Sequence, residues 1–172
     1  MRADYYFRQE VEHILAALTP QNRLACEISL STGLRIGDVL RLKTGSLAKR
    51  MTVQEEKTGK NRRITLTEDQ LSRLFRWAGK LYAFPHRTDG RKHRTRQAVY
   101  KDLRRVRDLM RLKVNLSPHS MRKIFAVGEY HRTGDLKRVQ KLLNHSSEAV
   151  TMIYALADEQ MRRSGRSERK GN

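Results

Sequence analysis

Apolar residues recur along this chain at helical spacing over most of its length and at strand spacing once. Across residues 7–18, Val11, Ile14, Leu15 and Leu18 fall at i, i+3, i+4, i+7 and mark one helix face. Thr19-Pro20 ends that run, and Pro20 suits the first turn of the next helix. The second helix carries Leu24, Ile28 and Leu30 and ends near Thr32-Gly33, where Gly33 suits a left-handed C-terminal position. Residues 34–42 read as a third, short helix with Ile36, Val39, Leu40 and Leu42 apolar.

The period then drops to two. Met51 and Val53 alternate with Thr52 and Gln54, and Ile64 and Leu66 flank Thr65, which predicts two strands. Lys57-Thr58-Gly59-Lys60-Asn61 between them reads as the turn of a β-hairpin. Thr67, with Gln70 three residues on, forms a capping-box start for a helix through Leu71, Leu74, Phe75 and Ala78. Residues 84–95 form a loop, and residues 98–112 a helix marked by Val99, Leu103, Val106 and Met110. Ser117-Pro118 opens another helix with Met121, Ile124, Phe125 and Val127, broken at Thr133-Gly134. Asp135 caps residues 136–143, and Ser147 caps a last helix through Val150, Ile153 and Tyr154. The expected fold is mainly α with a small antiparallel β-hairpin, an α+β class.

Charge narrows the function. Lys and Arg number 37 against 18 Asp and Glu in 172 residues, a net of +19. So basic a chain repels itself unless a polyanion is near, and nucleic acid is the simplest one. No run of about 18 apolar residues spans a membrane, and Met1-Arg2-Ala3-Asp4-Tyr5-Tyr6 lacks the apolar core of a secretory signal. The expected setting is therefore cytoplasmic, with no membrane partner. Cys26 is single and lies in an apolar helical stretch, so it reads as a small core residue. The tail, residues 162–172, holds five basic residues and one acidic one and is expected to be mobile. Residues 86–111 hold ten basic residues against three acidic, and Arg94, Arg96 and Arg104 are candidate phosphate contacts there.

Several polar residues interrupt apolar stretches. Arg35 sits at a turn-to-helix junction and alone reads as solvent-facing or paired with Asp38. His119 and Arg122 share one face at a helix N-terminus, where backbone N–H groups favour an anion. Alone they also fit a capping histidine and a surface arginine. Lys57 alone is a solvated charge at a hairpin tip, and Tyr154 alone is a core tyrosine. No cluster of His, Asp and Glu has metal-ligand spacing.

Together these residues carry a resemblance. Thr32-Gly33-Leu34-Arg35-Ile36-Gly37-Asp38-Val39-Leu40, Lys57-Thr58-Gly59-Lys60, His119-Ser120-Met121-Arg122, and Leu143-Asn144-His145 with eight residues before Tyr154 resemble the catalytic domain of the tyrosine recombinases, the phage integrase family. The resemblance implies the fold of the DNA breaking-rejoining enzymes, with residues 1–161 as the catalytic domain and no amino-terminal core-binding domain in this chain. It implies Tyr154 as nucleophile, His119 as its base, Lys57 as general acid, and Arg35 and Arg122 as the grips on the non-bridging oxygens. His145 would bond the scissile phosphate, and Asp38 would orient Arg35. The product would be a 3′-phosphotyrosyl link and a free 5′-hydroxyl, formed without metal, cofactor or ATP. Implied partners are double-stranded DNA, further copies of the chain in a tetramer on DNA (monomeric when free), and accessory DNA-bending proteins. A type IB topoisomerase-like enzyme and an inactive DNA-binding relative remain the alternatives. Lys123 stands where the family often has His, and Asn144 where Gly is common. The short stretch between Leu42 and Lys57 predicts a sheet reduced to the hairpin.

Overall fold

The computed structural model describes residues 11–112 and 117–143, so the expectations for His145, Ser147, Tyr154 and the basic tail lie outside the described residues. The chain divides into two compact units, Met1–Arg122 and Lys123–Asn172.

In the first unit, residues 11–16 are helical (α1), and Val11, Ile14, Leu15 and Leu18 are all buried as their spacing requires. α2 (Pro20–Thr32) starts on Pro20 and stops at Gly33, whose φ of 68° is the left-handed conformation that a side chain would strain. α3 (Ile36–Leu40) is shorter than the apolar run suggests, because Arg35 is its N-cap and the chain turns out of the helix at Arg41. β1 (Arg50–Gln54) and β2 (Asn61–Thr65) pair antiparallel, with Arg50 opposite Thr65 and Gln54 opposite Asn61. They form the two-stranded sheet expected, and Gly59 holds a positive φ in its turn.

α4 (Glu68–Trp77) carries the full capping box: Gln70 N–H donates to Thr67 Oγ1, and Thr67 N–H donates to the Gln70 side chain, each at 3.1 Å. α5 (Arg96–Leu109) is capped by Thr95. α2 packs against α3, α4 and α5, and α3 against α5. The core between them holds Leu24, Ile28, Leu34, Leu40, Leu74, Leu103 and Val106. Cys26 lies in it fully buried, and burial pushes its thiol pKa up to about 12, so it is a packing residue. Two of the periodic positions are exposed rather than buried. Phe75 is 54% exposed and Met110 37%, the latter just past the end of α5.

α6 (Pro118–Thr133) starts in the first unit with Met121 and Arg122 buried, and its later turns belong to the second. Among the described residues of the second unit, Ala126, Val139 and Leu143 pack together in its core with Phe125 and Tyr130 against them. Its helix α7 (Leu136–Leu143) is capped as expected, Arg138 N–H donating to Asp135 Oδ1 at 3.0 Å. Among the described residues, no helix is long and apolar enough to cross a membrane.

Candidate active site

Three local features of the first unit meet at one cleft of about 720 Å³: the α2–α3 junction, the hairpin turn and the first turn of α6. Arg35, Asp38, Glu56, Lys57, Arg96, Tyr100, His119 and Arg122 are among its walls. Two guanidiniums 87 positions apart in the chain therefore share one pocket. Among the described residues the lining holds four basic side chains (Arg35, Lys57, Arg96, Arg122) against two carboxylates (Asp38, Glu56), besides His119. A cleft of that balance concentrates anions.

Each side chain is placed by a local rule. Gly33 turns the chain at the end of α2, so Arg35 emerges as the N-cap of α3 with extended backbone. The same turn aims the Gly33 carbonyl inward, where it accepts from Arg122 Nη1 at 2.8 Å and from Arg62 Nη1 at 3.2 Å. Arg122 is 1% exposed, which overturns its reading as a surface arginine. A buried guanidinium persists only when paired and hydrogen-bonded. Gly37 lies beside Arg96: a methyl group there would stand 3.1 Å from Arg96 Cδ, so that side chain would have to shift by a few tenths of an ångström to admit it. Lys57 and His119 are exposed at the cleft rim.

Sequence reasoning named Asp38 as the carboxylate for Arg35. In the structure Glu55, fully buried, takes Arg35 Nη1 on Oε2 at 2.7 Å. Asp38 Oδ1 accepts from Arg41 Nη2 at 2.7 Å and from the Glu56 N–H at 3.0 Å, tying α3 to the hairpin end. Arg62 was also missed. It is 8% exposed, its Nη1 lies 3.4 Å from Glu55 Oε1, and its Nη2 donates to the Thr32 carbonyl. Burial pulls the Arg62 pKa down, and Glu55 opposes that shift. The available signal was the strand period: Met51 and Val53 continue to Glu55, and Ile64 steps back to Arg62, all on one face.

The three expected phosphate contacts diverge. Arg96 lines the cleft. Arg94 donates to Gln21 and Asn22 and so braces the start of α2 from inside the unit. Arg104 is 64% exposed and stands 3.9 Å from Asp108. Among the described residues no cluster of His, Cys, Asp and Glu could hold a metal ion.

The chain matches the Phage integrase family profile over residues 7–161. It is 30% identical over 158 residues to the "Probable integrase/recombinase YoeC" of Bacillus subtilis, covering 88% of this chain and 86% of that protein. It is 32% identical over 145 residues to the tyrosine recombinase XerC of Actinobacillus pleuropneumoniae, covering 78% of this chain and 46% of that protein. The integrase of Escherichia phage P2 is 28% identical over 152 residues, and the chain spans 42% of its length. Among solved structures, the fold matches the XerH site-specific recombinase bound to its palindromic difH substrate (TM-score 0.68, 24% identity, 92% of this chain and 51% of that one). It also matches the lambda integrase catalytic core (TM-score 0.58, 25% identity, 73% of this chain and 83% of that one).

Proposed function

This chain belongs to the phage integrase family, and from that premise we propose that it is a site-specific DNA recombinase acting through Arg35, Lys57, His119, Arg122, His145 and Tyr154. The observation that carries the reading is the convergence of Arg35, Lys57, His119 and Arg122 on one basic cleft. His145 and Tyr154 enter on the sequence motif.

In this reading the Tyr154 phenol loses its proton to His119 and its oxygen bonds to the scissile phosphorus. The bond from phosphorus to the 5′ oxygen breaks, and Lys57 supplies the proton to that oxygen. Arg35 and Arg122 hold the non-bridging oxygens, whose negative charge grows in the transition state. Removing one such preorganised donor costs about 3–4 kcal/mol in comparable sites. The 3′-phosphotyrosyl link keeps the phosphodiester energy, so the freed 5′-hydroxyl of another strand can reseal it. Double-stranded DNA is the substrate, four copies assemble on it, the free chain is monomeric, and the cytoplasm is the place of action. Residues 1–161 serve as the catalytic domain. Lambda integrase has been solved as a tetramer on a Holliday junction, which supports the tetrameric part of the proposal.

The test uses the full chain and a library of nicked duplexes randomised around the nick, from which a cleaved fragment can diffuse away. A protein–DNA adduct that survives denaturing electrophoresis is expected from the wild type and none from Tyr154→Phe. Absence of the adduct, or its equal yield from Tyr154→Phe, would refute the proposal. Plasmid relaxation by monomer without site preference would select topoisomerase chemistry instead.

A further inference from the structure

Glu55 is fully buried, and the chemistry above gives it no part. Its oxygens are divided between two cations: Oε2 takes Arg35 at 2.7 Å and Thr58 Oγ1 at 3.3 Å, and Oε1 lies 3.4 Å from Arg62. Burying a carboxylate is costly even when it is paired, and apolar residues dock elements as well. Val53 and Ile64 already pack the inward face of the hairpin. Docking alone therefore does not account for an acid at this position.

The arrangement suits a different task. A guanidinium on a long side chain samples many rotamers until a second contact fixes it, and a planar two-oxygen grip depends on that fixing. A carboxylate facing Arg35 alone would cancel its charge. With Arg62 on the other oxygen, the three side chains keep a net +1 while Arg35 is held. Arg62 is anchored in turn on the Thr32 and Gly33 carbonyls, the latter shared with Arg122. Glu55 also lies two residues before Lys57, so the contact that fixes Arg35 fixes the hairpin end bearing Lys57.

We propose that Glu55 is a positioning residue for DNA cleavage, holding the Arg35 guanidinium across the cleft and keeping the Lys57 turn in register with it. The proposal rests on the reading of the cleft as a DNA-cleaving site. Glu55→Gln keeps the shape and removes the charge. Single-turnover adduct formation on the nicked-duplex library is expected to slow about tenfold, the loss of one charge-assisted hydrogen bond. Retention of the same DNA in a native gel stays within about twofold. Arg35→Lys also slows cleavage, and adding Glu55→Gln to it produces no further loss, because both act through one group. Wild-type cleavage by Glu55→Gln, or two losses that multiply in the double variant, overturns the proposal. Thermal denaturation checks that each variant folds. Should Glu55→Gln unfold, Glu55→Asp keeps the charge beside Arg62, falls one methylene short of Arg35, and is judged by the same two criteria. A wild-type chain that forms no Tyr154-dependent adduct overturns the functional reading itself, before any Glu55 variant is compared.

Discussion

The Asp102 carboxylate on α5 accepts from the Thr19 N–H at 2.9 Å, Thr19 Oγ1 at 2.7 Å, Asn22 Nδ2 at 2.8 Å and Arg105 Nη2 at 2.8 Å. Burial alone would raise its pKa, but the hydrogen bonds from Thr19, Asn22 and Arg105 outweigh burial and hold it below the usual carboxylate value. A depressed folded pKa contributes stability that is present above the unfolded value of about 3.9 and is lost as pH falls through the folded value. Asp102→Asn is therefore expected to cost about 1–3 kcal/mol at neutral pH. It should also flatten the loss of stability in the acid range, where the wild type gives up the same contribution. Urea unfolding between pH 7 and pH 3 checks both. An unchanged midpoint at pH 7 would show that the network around Thr19 tolerates an amide.

Among the elements, the α2–α3 turn bears the most. Gly33 combines a left-handed φ with a carbonyl that takes two buried arginines. Gly33→Ala is expected to destabilise the chain by about 1–2 kcal/mol from the left-handed backbone alone, and to slow DNA cleavage more than DNA binding because the oxygen under Arg122 shifts. Thermal melting together with adduct formation reads the two effects separately, and equal losses in binding and cleavage would contradict it. This turn was legible in the sequence, as were the start on Pro20 and the Thr67–Gln70 box, because each obeys a rule set by neighbours in the chain. The hairpin and its strand period were legible as well. Glu55 and Arg62 were not read, because a charged residue beside a turn looks solvated until distant segments close over it. The bracing role of Arg94 was hidden for the same reason: its partners Gln21 and Asn22 are over 70 residues away. Arg35 and Asp38 are three apart, which suggested a pair, yet the carboxylate on Arg35 came from the hairpin, 20 residues on. The coincidence of Arg35 with Arg122 could not be read from spacing at all and entered the sequence reading only through the family motif.

At the scale of the whole molecule, a net charge of +19 makes counterion release the main drive toward DNA. Affinity for random duplex is expected to fall steeply and linearly on logarithmic axes as salt rises, with a slope of about −0.9 per neutralised phosphate. Fluorescence anisotropy across a salt series measures it, and a slope near zero would contradict a phosphate-led interface. Arg35→Ala should leave most of that slope intact, since the charge is spread over the whole chain and this one guanidinium is partly shielded by Glu55. The shared Gly33 oxygen bears on protein engineering. It links hairpin, α2 and α6 through buried cations, so these pieces are not interchangeable parts. A chimera that imports a relative's hairpin without the matching residues at Thr32, Gly33 and Arg35 would strand Arg62 or its acid in the interior. Swaps among family members should succeed only when the turn and the hairpin travel as one cassette.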